Sequence, residues 1–310
     1  MTSRVGTLGT SRGALVDDRG CVAPDGARFE LDWWIGAEDR RHLPAREASV
    51  RQRRPGIAPV VETAMRVPGG DAIQRVYGAG GPADVVVIEI ENAAAVPFAV
   101  GLVLRRRAGR RELRTTVVGN RLHVDGRPVV HLPRPPLRRD TENGDALVYP
   151  VAHRTRLRFA LVLPRREDLA LADPGLVPGA EEVARAWEAQ LGRGMRVDLP
   201  DPALQQAVDR ARVDLLLAPV EAVTVAALED WGFDAEVRRA WPQLSFRARR
   251  RASRRPAAVD WDAVSVTRAG SAAEFLLALR RLLARESRDG DVDLLSELPR
   301  AWVGHGIEVH

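Results

Sequence analysis

The sequence predicts an α+β multidomain protein, an N-terminal antiparallel β-sandwich followed by a domain of helical hairpins. Three observations carry the prediction. Up to about residue 164 the chain reads as many short strands separated by turn residues, with no helical signal between them. The stretch from Gly179 to Pro219 marks a change of composition, after which most segments place apolar residues at helical spacing. At 310 residues and 45% hydrophobic content the chain can bury one large core or two ordinary ones, and the shift near Pro164 favours two. The expected division is a sandwich over 1–164, a linker with a short helix over 165–200 and a helical domain over 201–310.

In the first part, GALVDDRGCVAPDG reads as strand, turn and strand, with Asp18-Arg19-Gly20 and Pro24-Asp25-Gly26 supplying the turns. RFELDWWIG puts Phe29, Leu31 and Trp33 on one face and Glu30, Asp32 and Trp34 on the other, so one tryptophan is expected buried and the other partly exposed. The segments PVVETAMRV, DAIQRVYG, DVVVIEIEN, PFAVGLVLRR, ELRTTVV, RLHVDG, PVVHL, ALVYPV and RLRFALVLP follow as strands. Gly69-Gly70-Asp71, Gly80-Gly81-Pro82 and Asp125-Gly126 punctuate them.

RREDLALADPGLVPG reads as a linker from its Pro, Gly and charge content. Val183, Trp187 and Leu191 then recur at helical spacing, and Gly192 and Gly194 suit the end of that helix. Asp201 is placed as an N-cap before Pro202, with Leu204, Val208, Ala211 and Leu215 on the expected apolar face. EAVTVAALEDW ends at Gly232, and Asp234 caps a short helix that Pro242 stops. Ser245 can cap FRARRRASRR, and Ser271 with Glu274 has capping-box spacing ahead of the stripe Phe275, Leu279, Leu282 and Leu283. Short helices joined by short loops imply antiparallel hairpins, and the tail VDLLSELPRAWVGHGIEVH turns extended again.

All 47 basic residues are arginines, interleaved with 42 acids, so the net charge of +5 does not demand a polyanionic partner despite a pI near 10.5. Cys21 stands alone, which rules out an intrachain disulfide and fits a reducing compartment. The start MTSRVGTLGTSRG lacks an apolar leader, and VPFAVGLVL is too short to span a bilayer as a helix, so a cytoplasmic protein without membrane contact is expected. Neither GxxxxGK[ST] nor GxGxxG after a strand occurs, and no cofactor is expected.

The order of sandwich, linker helix and helical hairpins resembles the six-hairpin (α/α)-toroid glycosidases of the glucoamylase and glycogen-debranching type. FELDWWIGAEDR, PVVETAMRVPGGDAIQRVYG, VVVIEIENAAAVPFAVGLVLR, RAWEAQLGRGMRVDLPDPALQQAVDRAR and LPRAWVGHGIEVH look like an actinobacterial branch of that group. The resemblance covers nearly the whole chain, through structural phrases and not catalytic signatures. It implies a carbohydrate-associated protein whose partner is an oligosaccharide or polysaccharide. In such enzymes two carboxylates face each other across the toroid mouth. A ring of about twelve helices of ~12 residues with ~5-residue loops needs roughly 200 residues. Residues 201–310 supply about half of that, so a partial toroid with reduced or absent catalysis is the expectation, and its open flank allows a homo-oligomer.

No catalytic residue is assigned. Glu229, Asp230 and Trp231 form one carbohydrate-binding candidate, since a sugar ring stacks on an aromatic face while carboxylates take its hydroxyls. Trp34 and Asp39, with Trp33 and Glu38 beside them, form the second. The plainer readings are a tryptophan that plugs a helix end and a charged loop after a half-buried strand. In the tail, Glu308 and His310 would share a strand face while His305 lies on the other, so no metal site is expected. The arginine clusters 105–111 and 247–255 could contact phosphates, but neither is interleaved with stacking aromatics, and solvated faces are the expected role. An active glycoside hydrolase on α-glucans, its ring completed by a second chain, and an Arg-rich nucleic-acid binder stay as the alternatives.

Overall fold

A computed structural model describes residues 2–10, 12–80, 84–107, 113–140, 145–163 and 174–240. The helices expected at 245–255 and 271–286, and the extended tail, lie outside the described residues. The chain divides into two units, Met1–Leu191 with Asp198–Leu217, and Gly192–Val197 with Ala218–His310.

The first unit is built on two antiparallel sheets. One contains β1 (Ser3–Gly6), β2 (Gly13–Val16), β3 (Val22–Pro24), β4 (Phe29–Gly36), β10 (Phe98–Arg106), β15 (Asp145–Val151) and β14 (Arg138–Asp140) in that order, with β5 (Arg41–His42) paired to β4. The other runs β11 (Thr115–Val118), β12 (Arg121–Val124), β13 (Arg127–His131), β16 (Arg156–Val162), β9 (Val85–Asn92), β8 (Gly70–Ala79), β7 (Val60–Val67) and β6 (Arg51–Arg53). Alternate residues of both sheets enter one shared core, the β-sandwich that the strand spacing predicts. Leu31, Trp33 and Ile35 of β4 come from one side, and Val86, Ile88 and Ile90 of β9 from the other. Tyr149 meets Phe159 edge-on at 5.2 Å between ring centroids. Each such fully buried side chain contributes about 1.5–3 kcal/mol.

Four strands escape sequence reading, namely β1, β5, β6 and β14, each of two to four residues. They sit at sheet edges or beside β4, where half the pairing partners are absent and little apolar alternation is needed. At one such edge β1 comes so close to the other sheet that a Cβ on Gly78 of β8 would stand 2.0 Å from the carbonyl oxygen of Gly6. Only glycine allows that approach.

Helix α1 (Ala180–Leu191) lies against β8 and buries Val183, Trp187 and Leu191 as its spacing predicts. Its first turn is closed by the Gly179 N–H, which donates to Glu182 Oε2 at 2.8 Å, half of a capping box. Helix α2 (Pro202–Leu216) starts at Asp201, whose Oδ1 accepts from Ala203 N at 2.7 Å and Leu204 N at 3.2 Å. Its buried side is not the expected one. Arg212, Val213 and Leu216 face inward, while Leu204 is 52% exposed, Ala211 is exposed, and Val208 and Leu215 are half-covered.

Polar groups set that orientation. Arg212 donates to the Leu191 carbonyl at 2.8 Å, Arg210 donates to the Arg54 carbonyl at 3.3 Å, and Arg54 pairs with Asp214 at 3.3 Å. These contacts group α2 with the strands, although the sequence placed residue 201 at the start of a separate helical domain.

In the second unit α3 (Ala222–Asp230) ends as its glycine predicts. Gly232 adopts φ +72°, the Phe233 N–H donates to Leu228 O at 2.8 Å and the Gly232 N–H to Glu229 O at 2.9 Å, the two bonds of a Schellman cap. Residues 234–240 are helical, but Asp234 is already inside the helix and the capping position predicted for it falls to Phe233, whose carbonyl accepts from Glu236 N at 3.0 Å and Val237 N at 3.1 Å.

Candidate functional site

The two sugar-site candidates fall in different units. Trp34 points away from the sandwich core, yet it is only 4% exposed, so the partly exposed tryptophan expected from strand alternation is also buried. Its register partner on β10 is Gly101, and a Cβ there would stand 2.0 Å from Trp34 Cε2. The indole thus lies on bare backbone, flanked by Val103, Ala146 and Val148. The Arg41 guanidinium sits over the ring at 4.3 Å and is itself held by Asp140 at 2.7 Å. This stack leaves no open face for a sugar ring.

Asp39 is exposed, and its Oδ1 lies 3.0 Å from His42 Nε2, a hydrogen bond that holds the Asp39 carboxyl below its ordinary value. The other ring nitrogen of the buried His42 lies 3.3 Å from Glu47, which Arg40 grips at 2.5 Å. The group ties down the loop after β4. The partners of Asp39 are Arg40 and His42, whereas Trp34 stacks with Arg41.

Glu229, Asp230 and Trp231 occupy the end of α3. Glu229 is buried, Asp230 is exposed and Trp231, at the C-cap, is half-buried. The Trp231 carbonyl accepts from Met195 N at 2.7 Å, and Gly194 packs so close to Phe233 that a Cβ would meet its ring at 2.7 Å. Successive residues at a helix end point in different directions, so the three do not converge on one ligand face.

Of the remaining singled-out groups, Arg105 pairs with Asp32 at 2.8 Å. Residues 108–112, the cluster 247–255, His305, Glu308 and His310 lie outside the described residues. Burial, with Asp32 and Glu30 nearby, pushes the Cys21 thiol well up, which keeps it protonated and unsuited to nucleophilic work. Among the described residues no group of three or more His, Cys, Asp or Glu is placed to hold a metal ion, and no helix is long and apolar enough to cross a membrane.

The polar site of the first unit lies on the outer face of the second sheet. Five strands in register present Arg53, Glu62, Arg75, Glu89 and Arg158 as directly opposed neighbours, one after the next across β6, β7, β8, β9 and β16. Charges alternate along the row. Arg53 reaches Glu62 at 2.6 Å, Arg75 reaches Glu62 at 3.0 Å and Glu89 at 3.4 Å, and Arg158 reaches Glu89 at 2.7 Å. One step along the strands, Glu91 opposes Arg156 at 3.1 Å and takes a second bond from Arg75 at 2.5 Å. Burial alone would lower the Arg75 pKa, but Glu91, Glu62 and Glu89 outweigh it and hold the guanidinium above its ordinary value.

Above this row α1 forms the second wall of a cleft of about 550 Å³, within the ~300–1,000 Å³ typical of small-ligand sites. Arg158 and Tyr77 fasten the lead-in to α1, donating to the carbonyls of Val177 at 3.4 Å and Pro178 at 3.3 Å. Arg75, Glu89, Arg156 and Arg158 line the sheet side, and Glu181 and Arg185 the helix side. Nothing in the sequence marks the row, because its paired residues lie 9 to 69 positions apart and only strand register assembles them.

Neither Glu62 nor Glu89 is a free carboxyl. Two arginines hold the first and three the second, Arg156 adding a contact to Glu89 at 3.6 Å. Such an arrangement offers fixed acceptors beside fixed donors and suits holding a ligand better than passing it a proton. No protein-family model matches the chain, and no curated protein matches it.

Proposed function

We propose that this is a carbohydrate-associated protein of the six-hairpin glycosidase-like group, and that its described part binds sugar without cleaving it. The element order supports the reading, two antiparallel sheets with a shared core followed by a helix laid on the second sheet and then by further helices. The observation that carries it is the cleft beneath α1, where guanidinium donors alternate with carboxylate acceptors next to the apolar edges of Pro55 and Val60. Sugars combine hydroxyls that both donate and accept with CH surfaces, and such walls match both features.

Calorimetry of the full chain with maltoheptaose, run beside an assay for newly released reducing ends, tests the proposal. Binding without release is the expected result. Release abolished by Glu229→Gln would replace it with an active glycoside hydrolase on α-glucans. Affinity for duplex DNA that survives about 200 mM salt, with no glucan binding, would favour the nucleic-acid alternative instead.

A further inference from the structure

The alternating row bears on which class of ligand the cleft can hold. Four guanidinium groups, Arg53, Arg75, Arg156 and Arg158, face three carboxylates, Glu62, Glu89 and Glu91. The α1 wall adds Glu181 and Glu182 against Arg185, so among the described residues cations and anions around the cleft balance. At the helix N-terminus the Gly179 N–H is already taken by Glu182 Oε2 at 2.8 Å, and Glu181 and Glu182 put negative charge in the first turn. Among these described groups an entering phosphate or sulfate meets no net positive charge. To pair with Arg75 or Arg158 it would have to displace a carboxylate from an arginine that burial has taken largely out of water, and competing for one partner of such a pair is costly. A neutral hydroxyl can instead share the outer lone pairs and N–H groups of pairs that stay intact.

We infer that the cleft between the second sheet and α1 selects neutral polyhydroxy ligands and excludes phosphorylated or sulfated ones, with the charge balance of Glu181, Glu182 and the sheet row as the selecting device. The inference rests on the sugar-binding reading above and adds the site and the ligand class. Arg156, 44% exposed, and Arg185, exposed on the α1 wall of the cleft, are the accessible donors. Ala184 of α1 lies on the cleft wall with room for a larger side chain to close it.

The test uses the full chain at low ionic strength with two probes, maltoheptaose and its sulfated form. The wild type should bind the neutral probe at least tenfold more tightly. Ala184→Trp, which fills the cleft from the helix, and Arg156→Ala should each weaken maltoheptaose at least tenfold with melting temperatures close to the wild type. Glu181→Arg, an exposed change that tips the balance toward positive charge, should raise affinity for the sulfated probe at least tenfold. Equal affinity of the wild type for both probes would overturn the selectivity. Maltoheptaose binding that survives both Ala184→Trp and Arg156→Ala would overturn the site while leaving sugar binding by the protein intact. Absence of binding to either probe would remove both this inference and the reading beneath it.

Discussion

Glu89 stands opposite Arg158 across the β9–β16 pair, and its carboxylate accepts from Arg158 Nε at 2.7 Å while only 1% of the glutamate is exposed. An acid so enclosed is tolerable because three arginines surround it. Replacing it with glutamine keeps the shape but strips the row of its central negative charge. Breaking a fully buried pair costs about 3–5 kcal/mol, and because Arg156 and Arg158 keep partial contact with water the expected loss for Glu89→Gln is about 2–3 kcal/mol. Urea unfolding measures it, and a change below about 0.5 kcal/mol would mean the row contributes nothing to stability.

The Trp34–Gly101 contact gives a second expectation. With no room for a Cβ at Gly101, Gly101→Ala must lift the indole off the strand and disturb its stack with Arg41. Overpacking of this kind costs about 1–3 kcal/mol. The lower melting temperature should come with a red-shifted tryptophan emission as the ring meets water, whereas Trp34→Phe should leave the emission maximum of the other tryptophans in place.

Acid sensitivity should arise where the sheet edges are tied together. Asp145 accepts from Arg139 and Thr115, which join β15 to β11. Burial raises its pKa, but these partners outweigh burial and hold the carboxyl below its ordinary value. A carboxylate whose folded pKa is depressed stabilises the fold above its unfolded pKa, near 3.9, and loses that contribution as pH falls through the folded value. Asp145→Asn should therefore cost about 1 kcal/mol at pH 6, a figure kept small by solvent screening. The two proteins should converge in stability as pH falls below the ordinary carboxylate range and through the depressed folded value. A gap that stays constant with pH would show the loss to be one of packing.

Helix α2 separates the two readings of its own apolar face. Val213 is fully buried and Leu204 half in solvent, so Val213→Ala should cost about 1–3 kcal/mol and Leu204→Ser under about 0.5 kcal/mol. The reverse order would restore the stripe expected from spacing. Sedimentation of Leu204→Ser beside the wild type also reads whether that stripe joins two copies, since a dimer built on it would dissociate.

By itself the sequence determined whatever depends on neighbours along the chain. Alternation placed most of the sandwich strands, Asp201 set the start of α2, and Gly232 set the end of α3, because caps, turns and period act over a few residues. The short edge strands carried too little pattern to be read. The face that α2 buries was decided by Arg210 and Arg212 bonding to carbonyls of Arg54 and Leu191, partners 156 and 21 residues away. The second tryptophan was buried by a glycine on another strand. The candidate cleft was decided wholly by tertiary structure: its glutamates and arginines are single letters scattered over five strands, and only hydrogen-bond register turns them into one row of alternating charge.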